Sequence, residues 1–143
     1  MTTGARHQAR EAALQVLYFW EIGKADPEDA LTAYFAEHLP EATEPVRTFA
    51  SELVRGTVAD LASLDPVIEK HSEHWRLSRL AVIDRLILRM AVWELRHHPD
   101  TPPAVVLDEA IELARTFSTE ESAKFVNGVL DAIRKAGAGP AGV

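Results

Sequence analysis

Arg6 and Arg10 stand one helical turn apart at the start of "ARHQAREAALQVLYFWE", residues 5–21, a segment that reads as helix. The amino end of a helix carries partial positive charge and favours carboxylates over cations. The chain has net charge −7, so acidic residues were available for that position, and the arginines there suggest an anion. A second row lies further on. At 3.6 residues per turn, Arg85, Arg89 and Arg96 fall within about 40° of one another on one helical stripe. The guanidinium fork matches phosphate oxygens and stacks on unpaired bases. Spacing leaves two readings open: a phosphate track, or a solvated face paired with nearby carboxylates.

Asp84 falls among Leu80, Ile87, Leu88, Ala91 and Leu95, on the apolar face of the same segment. A carboxylate there is either paired inside the fold or sits at a surface that a partner covers. His71 and His74 have i, i+3 spacing with Glu73 between them, but no third ligand follows at motif spacing, so no metal site is expected. The chain has no Gly-rich phosphate loop, no G-x-S-x-G and no paired-carboxylate motif. With no cysteine, thiolate nucleophiles, zinc–thiolate sites and disulfides are excluded. Neither catalysis nor a cofactor is expected.

The elements that carry these residues read as helical throughout, and no stretch shows strand alternation. The first helix runs from about 5 to 22 and stops at Gly23. Asp26-Pro27 opens a second that ends at Pro40. Thr43-Glu44-Pro45 opens a third, carrying Val46, Phe49, Leu53, Val54, Val58, Leu61 and Leu64. Asp65-Pro66 caps a short fourth, Val67 to His74. The fifth, Leu77 to about Arg96, is the most apolar and should be central. Thr101-Pro102-Pro103 opens the sixth. Ser118 with Glu121 forms a capping box for the seventh, and the tail from 138 to 143 reads as disordered. The fold class is all-α, a compact bundle of about seven helices.

At 143 residues with 47% hydrophobic and 26% charged side chains, the chain suits one folded soluble domain or two small bundles sharing a core, taken as a single domain over 1–137. No signal peptide or membrane-length apolar run is seen, which suggests a cytoplasmic protein. Charge is segregated: residues 1–24 sum to +1, 25–73 to −8, 74–98 to +3 and 99–143 to −3. Local field rather than net charge governs binding of a polyanion, so two basic stretches in an acidic chain remain compatible with it.

Taken together, "ARHQAREAALQVLYFWE", "RLILRMAVWEL" and "PAVVLDEAIELARTFSTEESAKFVNGVLDAI", in that order, resemble the NusB family of bacterial transcription antitermination factors. The resemblance covers roughly residues 5–135. Its most specific parts are Asp108 to Ala114 and Lys124 to Asp131. It implies an all-helical fold of two packed sub-bundles. It also implies binding to the boxA element of nascent RNA, in a heterodimer with NusE, a small-subunit ribosomal protein. That complex would join Nus A and Nus G on RNA polymerase and suppress premature termination, notably on ribosomal RNA operons.

Carried over residue by residue, Arg6 and Arg10 match the arginine-bearing first helix that contacts RNA. Arg85, Arg89 and Lys124 complete the expected RNA-binding set. Tyr18, Asp84 and Phe125 match positions at the NusE interface. Glu121 is grouped with them; it matches an acidic position near the RNA path where loss of charge should favour RNA. Asn127 and Gly128 read as packing residues. The family's first helix often has a run of arginines, whereas His7-Gln8 follow Arg6 here, so the isolated chain should bind RNA weakly and lean on its partner. The competing reading is a homodimeric helical adaptor whose RNA surface is masked. A similar bundle also fronts certain ribosomal RNA cytosine methyltransferases, but no cofactor-binding domain follows in this sequence.

Overall fold

The computed structural model describes residues 3–73 and 76–137. The expected tail, 138–143, and His74 lie outside the described residues. Among these the chain forms seven α-helices and one short 3-10 turn, with no strand. They divide into two compact units, residues 1–59 and 60–143.

The first unit contains α1 (Thr3–Gly23), α2 (Pro27–His38) and α3 (Glu44–Ala59). Helix α1 packs on both α2 and α3 through Ala9, Ala12, Ala13, Val16 and Leu17, all fully buried. Alanines at three of these positions keep its packing face low. Asp26 caps α2, accepting a 2.9 Å bond from the Glu28 amide, and Pro27 takes the first helical position, where its missing N–H costs nothing. The residue that ends α1 in the left-handed region is Lys24, at φ 58°, rather than Gly23. Beyond it the Ala25 amide donates back to the Phe19 carbonyl at 3.3 Å, which closes the last turn. Arg47 on α3 donates to the Ala42 and Pro40 carbonyls at 3.0 and 2.9 Å and so fixes the α2–α3 loop.

The second unit contains α4 (Leu61–His71), the 3-10 turn (Leu77–Arg79), α5 (Val82–His97), α6 (Pro103–Phe117) and α7 (Glu120–Lys135). Helix α5 packs on α4, α6 and α7 and buries every residue from Leu86 to Val92. It is the central helix that its apolar composition called for.

Three boundaries differ from those expected. The third helix does not continue to Leu64: it ends at Ala59, and α4 begins at Leu61, with the Asp60 carbonyl accepting from the Ser63 and Leu64 amides. Pro66 therefore lies inside α4 instead of opening a helix. Proline there removes one internal bond, but Leu64 and Ile68, four residues apart and fully buried, hold the backbone helical on both sides of it. The fifth helix does not start at Leu77. The Glu69 carboxylate takes the Leu77 amide at 2.9 Å, the chain forms a 3-10 turn, and Leu80 and Ala81 run extended before α5 begins. Thr119, not Ser118, caps α7, accepting from the Ser122 amide at 3.0 Å.

Candidate nucleic-acid and partner interfaces

In the first unit, an arginine pair does not continue a core, so the amino-terminal turns of α1 should either overhang the body or lie at its rim. They do not overhang. Arg10 is 3% exposed and Arg6 is half-buried. Both guanidinium groups stand over the ring of Phe49 on α3, the Arg6 Cζ at 4.2 Å from its centroid and the Arg10 Cζ at 5.4 Å. The negative face of an aromatic ring attracts a cation electrostatically, which offsets the unfavourable end of the helix dipole. Phe49 itself is 2% exposed. Sequence periodicity marked it as core and did not show the arginines above it.

In the second unit, the arginine row on α5 is not a solvent-facing track. Arg89 is buried, with Nε donating to Asp65 Oδ1 at 2.9 Å and Nη2 to Asp65 Oδ2 at 3.0 Å. This fork-to-fork pairing uses the geometry that would otherwise grip a phosphate. Arg96 is buried too and donates to Ser63 Oγ at 2.6 Å. Arg85 is half-buried and makes long bonds of 3.4 Å to the Leu77 and Leu80 carbonyls. The pairing alternative describes Arg89, so Arg89 leaves the RNA-binding set. Lys124 on α7 is exposed.

Asp84 fits neither of its two expected descriptions fully. It is buried in the first turn of α5, yet its contacts are hydroxyls. Ser122 Oγ donates to Asp84 Oδ2 at 3.1 Å, and Ser118 Oγ shares a 2.8 Å bond with Ser122 Oγ. Oδ1 is buried and has no hydrogen-bond partner among the described residues. Burial pushes the Asp84 carboxyl above the ordinary aspartate range, and hydrogen bonds from Ser122 and Ser118 pull it partly back. Ser118 reads in sequence as a capping residue, and the contact of the two serines with Asp84 was not visible there.

No group of three or more His, Asp or Glu side chains among the described residues is placed to hold a metal ion. The His71 ring instead bonds the Val67 carbonyl through Nδ1 at 2.9 Å.

The family model described as the NusB family matches residues 7–135. The chain belongs to the NusB family. A transcription antitermination protein NusB of Solibacter usitatus is 50% identical over 132 residues, covering 92% of this chain and 89% of the relative. A crystal structure of the antitermination factors NusB and NusE in complex with dsRNA superposes with TM-score 0.86 at 31% identity, covering 94% of this chain and 99% of that one. The NusB of T. maritima superposes with TM-score 0.83 at 36% identity, covering 94% and 93%.

The remaining positions that the NusB resemblance marked as partner-facing are reachable. Tyr18 is 39% exposed on α1 and stacks edge-on against Phe19, itself 48% exposed. Glu121 is exposed and Phe125 half-buried on α7. A groove of about 270 Å³ between the end of α4 and α7 is lined by His71, Lys124, Phe125, Gly128 and Val129, among others. The packing role expected for Asn127 and Gly128 is not seen: both are exposed, and a Cβ on Gly128 would meet nothing within 4 Å.

Proposed function

We propose that this chain is a transcription antitermination factor that binds boxA-containing RNA together with NusE on the transcribing polymerase with Nus A and Nus G. Its two units serve one function over residues 1–137, and it works by binding in the cytoplasm rather than by catalysis. The observation that carries this reading is the likeness, along nearly its whole length, to a NusB solved with NusE and dsRNA. No described helix is long and apolar enough to cross a membrane.

Arg6, Arg85 and Lys124 are the residues we place against RNA, with Arg10 beneath Arg6. Arg6, Arg10 and Arg85 belong to the two basic stretches, and Arg6, Arg85 and Lys124 are not buried, which supports the reading. Tyr18, Asp84, Glu121 and Phe125 are placed toward NusE. The chain has fewer arginines on α1 than its family often carries, so RNA and NusE should each strengthen the binding of the other.

Linkage requires the factor to be the same in both directions, and a coupling of about 1–3 kcal/mol, or 5–150-fold, is typical. Calorimetric titration of the protein with NusE, with a boxA oligonucleotide, and with each in the presence of the other measures it. An isolated chain that binds boxA RNA as tightly as the heterodimer does would remove the partner-dependent part of this reading. A chain that binds neither ligand would remove the whole.

A further inference from the structure

We propose that Phe49 is the positioning residue for RNA binding by α1: its ring holds the Arg6 guanidinium in a fixed pose, with Arg10 as the buried support beneath. This rests on the reading that the α1 arginines face RNA and assigns different duties within the pair. Arg6 is half-buried and Arg10 is 3% exposed, so Arg6 is the member that reaches a ligand. Its Cζ lies 4.2 Å from the Phe49 centroid, closer than the 5.4 Å of Arg10.

Contact with a ring uses the face of the guanidinium, whereas phosphate recognition uses the in-plane N–H fork, so one group serves both without conflict. A long arginine side chain surrenders much rotamer freedom when it is ordered by a ligand. A ring that already holds it lowers that cost before RNA arrives. Phe49 is well placed to do this because its own position is fixed. It is 2% exposed on α3, between Val46, Ala50 and Leu53, which are equally buried, and the fully buried Ala9 and Ala13 belong to the face of α1 that packs on it. The first turn of α1 contains no acidic residue, and the face of the ring supplies negative potential there.

The test titrates a fluorescein-labelled single-stranded boxA oligonucleotide with the full chain and its variants, with the folded fraction of each measured by circular dichroism. Phe49→Met keeps apolar volume and removes the ring, and should weaken binding about three- to tenfold. The slope of log affinity against log salt should not change, because no phosphate contact is removed. Phe49→Tyr keeps the ring and should bind like the parent. Arg6→Lys keeps the charge but loses the planar face, and should show a loss like that of Phe49→Met. Arg6→Ala should also flatten the salt slope by about 0.7, and adding Phe49→Met to it should change nothing further. If Phe49→Met and Arg6→Lys bind like the parent while Arg6→Ala is weak, the positioning role is wrong and the RNA reading stands. If the Arg6→Ala/Arg10→Ala double variant binds like the parent, α1 does not face RNA at all.

Discussion

Arg89 of α5 and Asp65 of α4 form a two-bond ion pair, with both nitrogen-to-oxygen distances at or below 3.0 Å. The Arg89 side chain keeps 8% of its exposure and Asp65 keeps 28%, so the pair lies at the edge of the interior rather than deep within it. Removing one member leaves the other charge poorly solvated. Asp65→Asn should therefore cost about 3 kcal/mol, the low end of the range for a broken buried pair, read from the midpoint of urea unfolding. RNA affinity per folded molecule should be unaffected by Arg89→Lys, which keeps a cation but not the fork. A loss of RNA binding larger than the loss of folded protein would return Arg89 to the RNA surface.

Arg10 and Arg6 should separate cleanly in stability. Arg10 buries both its stem and its head, so Arg10→Ala removes packing as well as charge and should destabilise the fold by about 1–3 kcal/mol. Arg6→Ala, from a half-buried site, loses chiefly its contact with the Phe49 ring and should cost less, about 0.5–1 kcal/mol. Thermal melts of the two variants side by side decide this. Equal melting temperatures would mean that Arg10 is not the buried member.

The helices, their order and the central place of α5 were legible in the sequence because apolar spacing records which face is buried. The breaks were less so. The stop after Ala59 has no proline or glycine to announce it, and Pro66 announced one that did not occur, because Leu64 and Ile68 decide that segment through burial. The site residues divide in the same way. That Arg6, Arg10 and Asp84 stand apart from an ordinary core or surface could be seen from their types, whereas Phe125 was marked only by the family resemblance. What they touch could not: the Phe49 ring under the arginines, the Asp65 partner of Arg89 and the Ser118–Ser122 pair at Asp84 all depend on contacts between helices. One-dimensional periodicity carries no record of those contacts.

Asp84 gives a pH dependence of unusual sign. Burial raises its folded-state value above the ordinary aspartate value, so the folded chain holds that proton more tightly than the unfolded chain does. The stabilisation from this group is fully present below the unfolded value, about 3.9, and is lost as pH rises through the folded value. Asp84→Asn mimics the protonated form. Its melting temperature should match the parent in acid and exceed it near neutrality, the gap opening between those limits. Glu28 and Asp131, whose carboxyls are held low by Arg55 and by Lys135 with Arg134, act in the opposite direction and cancel in the comparison. A parallel NusE pull-down adds a second reading. Weaker capture by a variant that is as stable as the parent or more so would place Asp84 at the partner surface, whereas normal capture would confine it to the fold.

Gly128 is the residue whose presence the isolated chain explains least. It lies inside α7 at an exposed position, where a Cβ would meet nothing within 4 Å. Glycine in a helix interior costs about 0.5–1 kcal/mol relative to alanine because it surrenders more backbone freedom. Gly128→Ala should therefore raise stability by about that amount, seen as a higher urea midpoint with an unchanged slope. A groove lies beside it, lined by Phe125 and Lys124 of the same helix, and NusE capture tests whether a partner's backbone uses the space that the glycine leaves. If so, Gly128→Ala should weaken NusE capture even as it stabilises the chain, and Gly128→Val should weaken it further. A variant that is more stable and captures NusE normally would show that this stretch of α7 is not covered in the complex.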